Sequence, residues 1–242
     1  MSDIVFLDEV DSTNNYIKSH LGELSDFCAV TAKKQTAGRG RRGHGWVTDG
    51  GMLPVSFLLK DPPERDTLTA RVGLAVCRAI EEACEHTVQA FIKWPNDIIA
   101  GGFKVCGILC ESVYFGDCAN VIAGIGVNIS QSADHFKAAE LPHAASLVMI
   151  AGKVPDRDEL LKVMTEKLKK YVAMPFAECY DEYKARVLNL GREVKLVSAD
   201  GSERVAVAVD IAPNGFLVCE DGSGKFEVSS GEVSVRGLDG YL

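Results

Sequence analysis

The stretch FIKWPNDIIAGGFKVCGILCE, residues 91–111, reads as three short extended runs folded back on one another. Phe91–Trp94 is a strand halted by Pro95, which bars the middle of a ladder and biases Trp94 toward extended geometry. Asp97–Ala100 and Lys104–Glu111 flank Gly101-Gly102, the turn of a tight hairpin. Strands joined by a hairpin run antiparallel, and strands and helices along the chain do not strictly alternate. This favours a mixed or antiparallel sheet with helices packed on it over a doubly wound Rossmann sheet.

Working outward, Ile4–Leu7, Phe27–Lys33, Leu53–Leu59 and Asn120–Val127 are further strands. Between Thr67 and Cys84, apolar Leu68, Val72, Ala75, Val76, Ala79, Ile80 and Ala83 recur at spacings of three and four, the stripe of a helix packed on a sheet. Asp156–Val172, with Asp156 and Glu159 at capping-box spacing, and Phe176–Leu188 are helices too. Gln131–Ser146 reads as a loop. From Gly191 the texture changes to short strands separated by Asp200-Gly201, Pro213-Asn214-Gly215 and Asp221-Gly222-Ser223-Gly224. That pattern suggests a small β-barrel of about 50 residues, too small to be comfortable alone and so docked on what precedes it. The expected fold class is α+β, with a mixed-sheet domain over residues 1–189 and a β-barrel over residues 190–242.

The chain has 242 residues, 26 Lys plus Arg against 34 Asp plus Glu, and a net charge of −8. Its overall field therefore repels nucleic acid, and any polyanion site must be local. The apolar runs Met52–Leu59 and Val121–Val127 are far shorter than the roughly 20 residues of a membrane span. The N-terminal residues resemble no signal peptide. The eight cysteines include no Cys-x-x-Cys pair and sit among apolar neighbours. They read as buried thiols in a reducing, cytoplasmic compartment, without a zinc site or other protein-held metal.

The segment from Gly38 to Trp46 carries the densest chemistry. Alternating glycines let the backbone approach a ligand and offer N–H groups to an anion, while Arg39, Arg41 and Arg42 match phosphate oxygens in bidentate fashion. This is a phosphate loop, expected to order over its anion. It is not a Walker loop, since no Gly-Lys-Ser/Thr ends it. A basic surface turn or an RNA-binding Arg-Gly segment are the competing readings, the latter opposed by the single copy and the acidic remainder. Lys93, Asn96 and Asp97 stand at a strand tip. Lys104 is a point charge at the edge of an apolar strand, of the kind that meets a phosphate or carboxylate. Gly107 marks either a bulge or a close approach to the backbone. Asn128 ends a buried strand, where it caps a turn or reads a purine edge. Asp11-Ser12-Thr13-Asn14, taken alone, is a helix cap for Asn14–Leu21.

Together these segments resemble the biotin protein ligases over nearly the whole chain. The resemblance rests on Asp11–Asn14, Gln35–Arg42, Lys93–Asp97, Lys104–Leu109, Gly124–Asn128 and Gly231–Val235 in the same order. It implies a class II synthetase-like mixed sheet with an SH3-like C-terminal barrel. It also implies a two-step reaction in which biotin and ATP, with Mg²⁺, give biotinyl-5′-AMP and pyrophosphate. A lysine of the biotin carboxyl carrier protein domain of acetyl-CoA carboxylase then takes the biotinyl group.

By the same resemblance, Ser12, Thr13, Asn14, Gln35, Gly38, Arg39, Gly40, Arg41 and Arg42 line the biotin and adenylate sites, and Lys104 touches biotin and phosphate. Trp46 stacks on adenine, Asn128 sits by the nucleotide, and Gly107 lies in the site. Lys93, Asn96 and Asp97 form the floor, with Asp97 orienting the incoming amine or a metal. Arg39, Arg41, Asp97 and Lys104 are the catalytic candidates. Phe136 and Leu141 supply an apolar lid. His44 departs from the family, which often has Arg there, and implies a weaker, pH-sensitive hold on the adenylate. The chain starts close to the Asp11–Asn14 motif, so a ligase without an N-terminal DNA-binding domain or repressor role is expected. A homodimer is the expected assembly. The alternatives are a lipoate-type protein ligase and a non-catalytic biotin- or RNA-binding module.

Overall fold

The computed structural model describes residues 3–41, 45–46, 50–198, 200–231 and 233–237. Strands β1 (Ile4–Val10), β2 (Ala29–Gln35), β3 (Met52–Leu59), β4 (Ala90–Lys93), β5 (Asp97–Ala100), β6 (Phe103–Phe115) and β7 (Cys118–Asn128) form one sheet in the order β1-β2-β3-β7-β6-β5-β4. The β1–β2 pair is parallel and the other pairs are antiparallel, giving the mixed sheet anticipated. Gly101 and Gly102, at φ 56° and 83°, make the β5–β6 turn. Positive φ at both central positions is what glycine supplies at a hairpin.

Side chains alternate between the two faces of this sheet, and the faces differ. Val55 and Phe57 of β3 face the main core with helices α2 (Leu68–Ala83), α5 (Arg157–Ala173) and α6 (Phe176–Arg186). Leu58 of β3 and Ile122 of β7 face the other way, onto Ile17 of the short helix α1 (Thr13–Ser19) and Leu21 just beyond it. α1 spans seven residues, so it covers one end of its face. The remainder of that face carries Ser56, Gly107, Gly124 and Gly126 where large apolar side chains would be expected, and it stays open.

Two short helices were not legible in the sequence. The segment expected to be a loop contains α3 (Ala133–Ala138), started by Ser132, whose hydroxyl accepts from His135 N at 3.3 Å. It is followed by α4 (Leu147–Ala151), which stops at Gly152 with φ 71°. Both are too short to show a helical period. Asp156 caps α5 as its spacing suggested, accepting from Glu159 N at 2.8 Å.

Strands β8 (Glu193–Ser198), β9 (Glu203–Ile211), β10 (Leu217–Asp221), β11 (Gly224–Val228) and β12 (Val233–Gly237) form an antiparallel sheet in the order β11-β10-β9-β8-β12. Among the described residues β11 and β12 do not pair, so the ladder is open where closure was anticipated. Turn spacing fixes antiparallel neighbours but not whether the two outer strands meet. The apolar side of this sheet, including Val194, Leu196, Leu217 and Val228, is continuous with the main core. Trp94 Nε1, just past β4, donates to Gly215 O at 3.1 Å and Lys184 of α6 pairs with Asp210 of β9 at 2.6 Å, fastening the second sheet to the first layer and its helices. The cysteines are free, and burial pushes the Cys77 thiol up to about 12 and those of Cys84 and Cys219 to about 11. Among the described residues no helix is long and apolar enough to cross a membrane.

Arg71 of α2 is fully buried and ties the helical layer to the sheet's entry loop. It donates to Val172 O (2.5 Å), Met174 O (3.3 Å), Glu64 O (2.8 Å) and Pro63 O. Glu64 in turn accepts from Phe176 N at 2.8 Å. Replacing Arg71 with Leu strands these carbonyls away from water, so Arg71→Leu is expected to lose about 3 kcal/mol in urea unfolding. A loss below about 1 kcal/mol, the scale of one ordinary hydrogen bond, would show that water or repacking satisfies them.

Candidate functional site

On the open face, Gly107 and Gly126 are partners across β6 and β7, and both lie beneath Trp46. A Cβ on Gly107 would come within 3.0 Å of the Trp46 ring, and one on Gly126 within 2.6 Å of its Nε1. Two residues along β7, a Cβ on Gly124 would meet Asn14 Oδ1 at 2.4 Å. Glycine is thus required at these positions by close approach, not by backbone conformation. The floor so formed belongs to a cavity of about 520 Å³. Its walls come from the start of α1, the loop after β2, the tip of β5, β6 and the segment after β7.

At the α1 end the wall is a chain of hydrogen bonds. Gln35 Oε1 accepts from Thr13 N at 2.8 Å, and Thr13 Oγ1 lies 2.7 Å from Ser56 Oγ. Ser56 donates to Asn14 Oδ1 at 2.5 Å, and Asn14 Nδ2 donates to Glu111 at 2.7 Å. An ionised carboxylate only accepts. Glu111 therefore compels Asn14 to present its nitrogen to it and its oxygen to Ser56, while the Thr13 hydroxyl lies within hydrogen-bond distance of both Ser56 Oγ and, at 3.1 Å, Gln35 Oε1. Burial disfavours the Glu111 charge, but hydrogen bonds from Asn14 and Lys18 and the charges of Lys18 and Arg39 outweigh it and hold the carboxyl below its usual range. Ser12 stands at the N-cap of α1 in extended conformation, yet its side chain makes no capping bond. It lines the cavity, as do Thr13 and Asn14, so a cluster that reads as a helix cap is turned to the site instead.

Cations gather over the middle of the floor. Lys104 Nζ lies 2.6 Å from Asp97 Oδ1 and 5.2 Å from the Trp46 ring centroid. Arg41 donates to Asn96 Oδ1 at 3.2 Å and to Ser230 O, a carbonyl of the second sheet. Arg39 donates to Asn15 Oδ1 at 2.6 Å and lies 3.9 Å from Glu111. The backbone of Lys104 is gripped on both sides by the segment after β7: its N–H donates to His143 O at 2.8 Å, and its carbonyl accepts from Ala145 N at 3.0 Å.

Ser12, Thr13, Asn14, Gln35, Arg39, Gly40, Arg41, Trp46, Asn96, Asp97, Lys104, Gly107 and Asn128 all line this one cavity, and so do Phe136 and Leu141. Gly38 and Lys93 do not line it. Lys93 is 6% exposed, and burial, with Lys104 and Arg236 nearby, pulls its ammonium down to about 8 although Asp97 opposes the shift. Arg42 and His44 lie outside the described residues. Among the polar lining residues, Ser56, Glu111, Gln131 and His135 escaped the sequence reading. The first two carried a signal, each being a polar residue inside an apolar strand in phase with the site face. Gln131 carried none.

Two family models match the chain: the biotin/lipoate A/B protein ligase family over residues 6–128 and the biotin protein ligase C-terminal domain over residues 190–236. The chain is 30% identical to a biotin–[acetyl-CoA-carboxylase] ligase of Paracoccus denitrificans over 96% of its own length and 100% of the relative's. It is 29% identical to the ligase of the same name from Mycobacterium tuberculosis, over 93% and 86% of the two chains. In structure it is similar to a biotin protein ligase from Aquifex aeolicus in complex with biotin and ATP. That match has TM-score 0.81 and 34% identity and covers 98% of this chain and 100% of that one. With the motif order, the glycine floor and the clustered cations, these matches mean that the chain belongs to the biotin/lipoate A/B protein ligase family, as a biotin protein ligase.

Proposed function

We propose that the cavity joins biotin to ATP in its middle and then yields the biotinyl group to a lysine of a biotin carboxyl carrier protein. The observation that carries this is the convergence of Lys104, Arg39 and Arg41 over a side-chain-free floor, with a hydrogen-bonding wall of Ser12, Thr13, Asn14, Gln35 and Ser56, backed by Glu111, at one end. In the first step a carboxylate oxygen of biotin attacks the α-phosphorus of ATP and pyrophosphate leaves. In the second the carrier's amine attacks the acyl carbon of biotinyl-5′-AMP, AMP leaves, and an amide forms.

Bringing a carboxylate to a triphosphate opposes like charges, so fixed cations at the junction supply most of the help this protein can give. Lys104 is suited to hold the carboxylate before reaction and the phosphate after it, with Asp97 and the Trp46 ring holding the ammonium in place. Arg41 gives its hydrogen bonds to neutral oxygens of Asn96 and Ser230, and a phosphate, being charged, is a stronger acceptor than either. Arg39 and the backbone at Gly40 complete the anion cradle. Ser12, Thr13, Asn14 and Gln35, with Ser56, offer donors and acceptors to the ureido ring of biotin. Trp46, seated beside Lys104 on Gly107 and Gly126, covers the junction and is within reach of the base expected to stack on it.

Among the described residues no three His, Cys, Asp or Glu side chains gather to hold a metal. Asp97 and Glu111, carboxylates of the cavity wall, face Lys104 and the Asn14–Lys18 pair. Mg²⁺ would accordingly ride on the nucleotide's phosphates, as this ion commonly does, where it would neutralise part of their charge. The finer fold reading, an SH3-like barrel over residues 190–242 docked on a catalytic domain of residues 1–189, is supported by the change of texture at Gly191. Edge strand β1 exposes Ile4 and Phe6, which supports homodimer pairing through that edge. The free cysteines suit a cytoplasmic protein.

Mass spectrometry of a carrier domain incubated with the chain, ATP, Mg²⁺ and biotin tests the whole reaction. One biotinyl group on a single lysine is expected, and an unmodified carrier would overturn the proposal. Arg41→Ala is expected to slow pyrophosphate release by roughly 100-fold, as when one oriented oxyanion donor is removed. A near-parental rate would take the phosphate from Arg41. Lys104→Ala is expected to weaken biotin in calorimetry as well as slow the first step, whereas unchanged affinity would contradict its carboxylate role.

Lys93 gives a stability test with a definite sign. Its folded-state value of about 8 lies below the ordinary 10.5, so the cost of burying its charge is fully present below pH 8 and relieved as pH rises toward 10.5. Lys93→Met is expected to gain on the order of 3 kcal/mol of stability at pH 7 from a shift of this size, an advantage that fades above pH 8. A pH-independent difference in unfolding free energy would rule out a charged, buried Lys93.

A further inference from the structure

We infer that Asn15, turned by Asp11, is a positioning residue for Arg39 and holds its guanidinium on the reacting anion; this rests on the ligase reading of the cavity. Arg39 stands between Gly38 and Gly40, and glycine on either side leaves the backbone free to aim the side chain in many directions. The loop that carries it is therefore a poor support for a group that must meet developing charge at a fixed point. Helix α1 is a better one. Its Ile17 is fully buried against Leu58 and Ile122, so the helix is seated on the sheet.

Two contacts join the loop to that helix. The carbonyl of Asp11 accepts from Ala37 N at 2.8 Å, which ties down the backbone two residues before Arg39. Arg39 Nη2 then donates to Asn15 Oδ1 at 2.6 Å. A side-chain amide can present either end, and only its oxygen serves a guanidinium, which has donors alone. Asp11 decides between the two ends. Its carboxylate accepts from Asn15 Nδ2 at 2.5 Å, which leaves Oδ1 to face Arg39. The hydrogen bond from Asn15 in turn holds the Asp11 carboxyl below its usual range, so it remains an acceptor at neutral pH.

Glu111 does not take over this role. Its two oxygens are engaged by Lys18 at 2.8 Å and by Asn14 at 2.7 Å, and it stands 3.9 Å from Arg39, beyond hydrogen-bond distance. Arg39 lines the cavity and Asn15 does not, so Asn15 reaches the reaction through Arg39. A cation that is present but loosely aimed still attracts the ligand, yet it loses the contact that strengthens toward the transition state. Loss of Asn15 is therefore felt in kcat more than in KM.

The test is a double-mutant cycle on the full chain, read by biotin-dependent pyrophosphate release at varied ATP. Asn15→Ala is expected to lower kcat by roughly tenfold, as for a misaligned catalytic group, with KM for ATP changed by less than about twofold. Alanine suits a helix better than asparagine, and an unchanged urea midpoint shows that the variant is folded. In the Arg39→Ala background the same substitution is expected to cost nothing further, because residues that act as a unit are not additive. Asp11→Leu should lower kcat as Asn15→Ala does, while Asp11→Asn, whose amide oxygen can still accept from Asn15, should retain most of the rate. A parental kcat in Asn15→Ala, or a loss that persists undiminished when Arg39 is already alanine, overturns the assignment and leaves the ligase reading intact. Equal losses in Asp11→Leu and Asp11→Asn overturn the part given to Asp11. Absence of pyrophosphate release from the parent removes the ligase reading and this inference with it.

Discussion

The cavity exists because Gly107 and Gly126 face one another across β6 and β7 with no side chains between them and Trp46. A methyl group at either position would meet the indole at or below van der Waals contact, and one at Gly124 would strike Asn14. The same sheet face is well filled a few residues away, where Ile17 of α1 covers Leu58 and Ile122. One face thus changes from core to site within a few strand positions, and what changes is side-chain volume. The opposite face, packed on α2, α5 and α6, supplies the rigidity that lets a bare floor keep its shape.

Charge is arranged with similar economy. The chain is acidic overall, with net charge −8, yet Arg39, Arg41 and Lys104 converge on one cavity. Their partners differ in kind. Lys104 faces a carboxylate, Arg41 faces neutral oxygens, and Arg39 sits on an amide with Glu111 at a distance. These partners keep the cations ordered at a local density that would otherwise be self-repelling.

Much of this was legible in the sequence because it depends on backbone chemistry and period. Pro95, the Gly101-Gly102 turn and the apolar stripe from Leu68 to Ala83 each fix local geometry, and from them the mixed sheet and its helical layer follow. The Gly-Arg loop was legible as a candidate anion site because glycine and arginine have few other reasons to alternate, and Arg39, Gly40 and Arg41 do line the cavity with Lys104. Taken alone Ser12 reads as a cap, since composition cannot say whether a hydroxyl turns toward an amide or away from it, and the resemblance was what placed it at the cavity it lines. Glu111 and Ser56 were hidden inside strands whose apolar character dominates their reading. Gln131 was invisible because it lies in an irregular segment after β7, where no period marks which side chains turn to the cavity.

The doubled backbone grip on Lys104 has a mechanical meaning. The peptide groups flanking the lysine that faces the cations' end of the acid are shared with the strand-like segment at His143–Ala145, which is continuous with the wall at the opposite terminus. Neither can shift without the other. A displacement of that wall is therefore felt at the backbone that carries the ammonium.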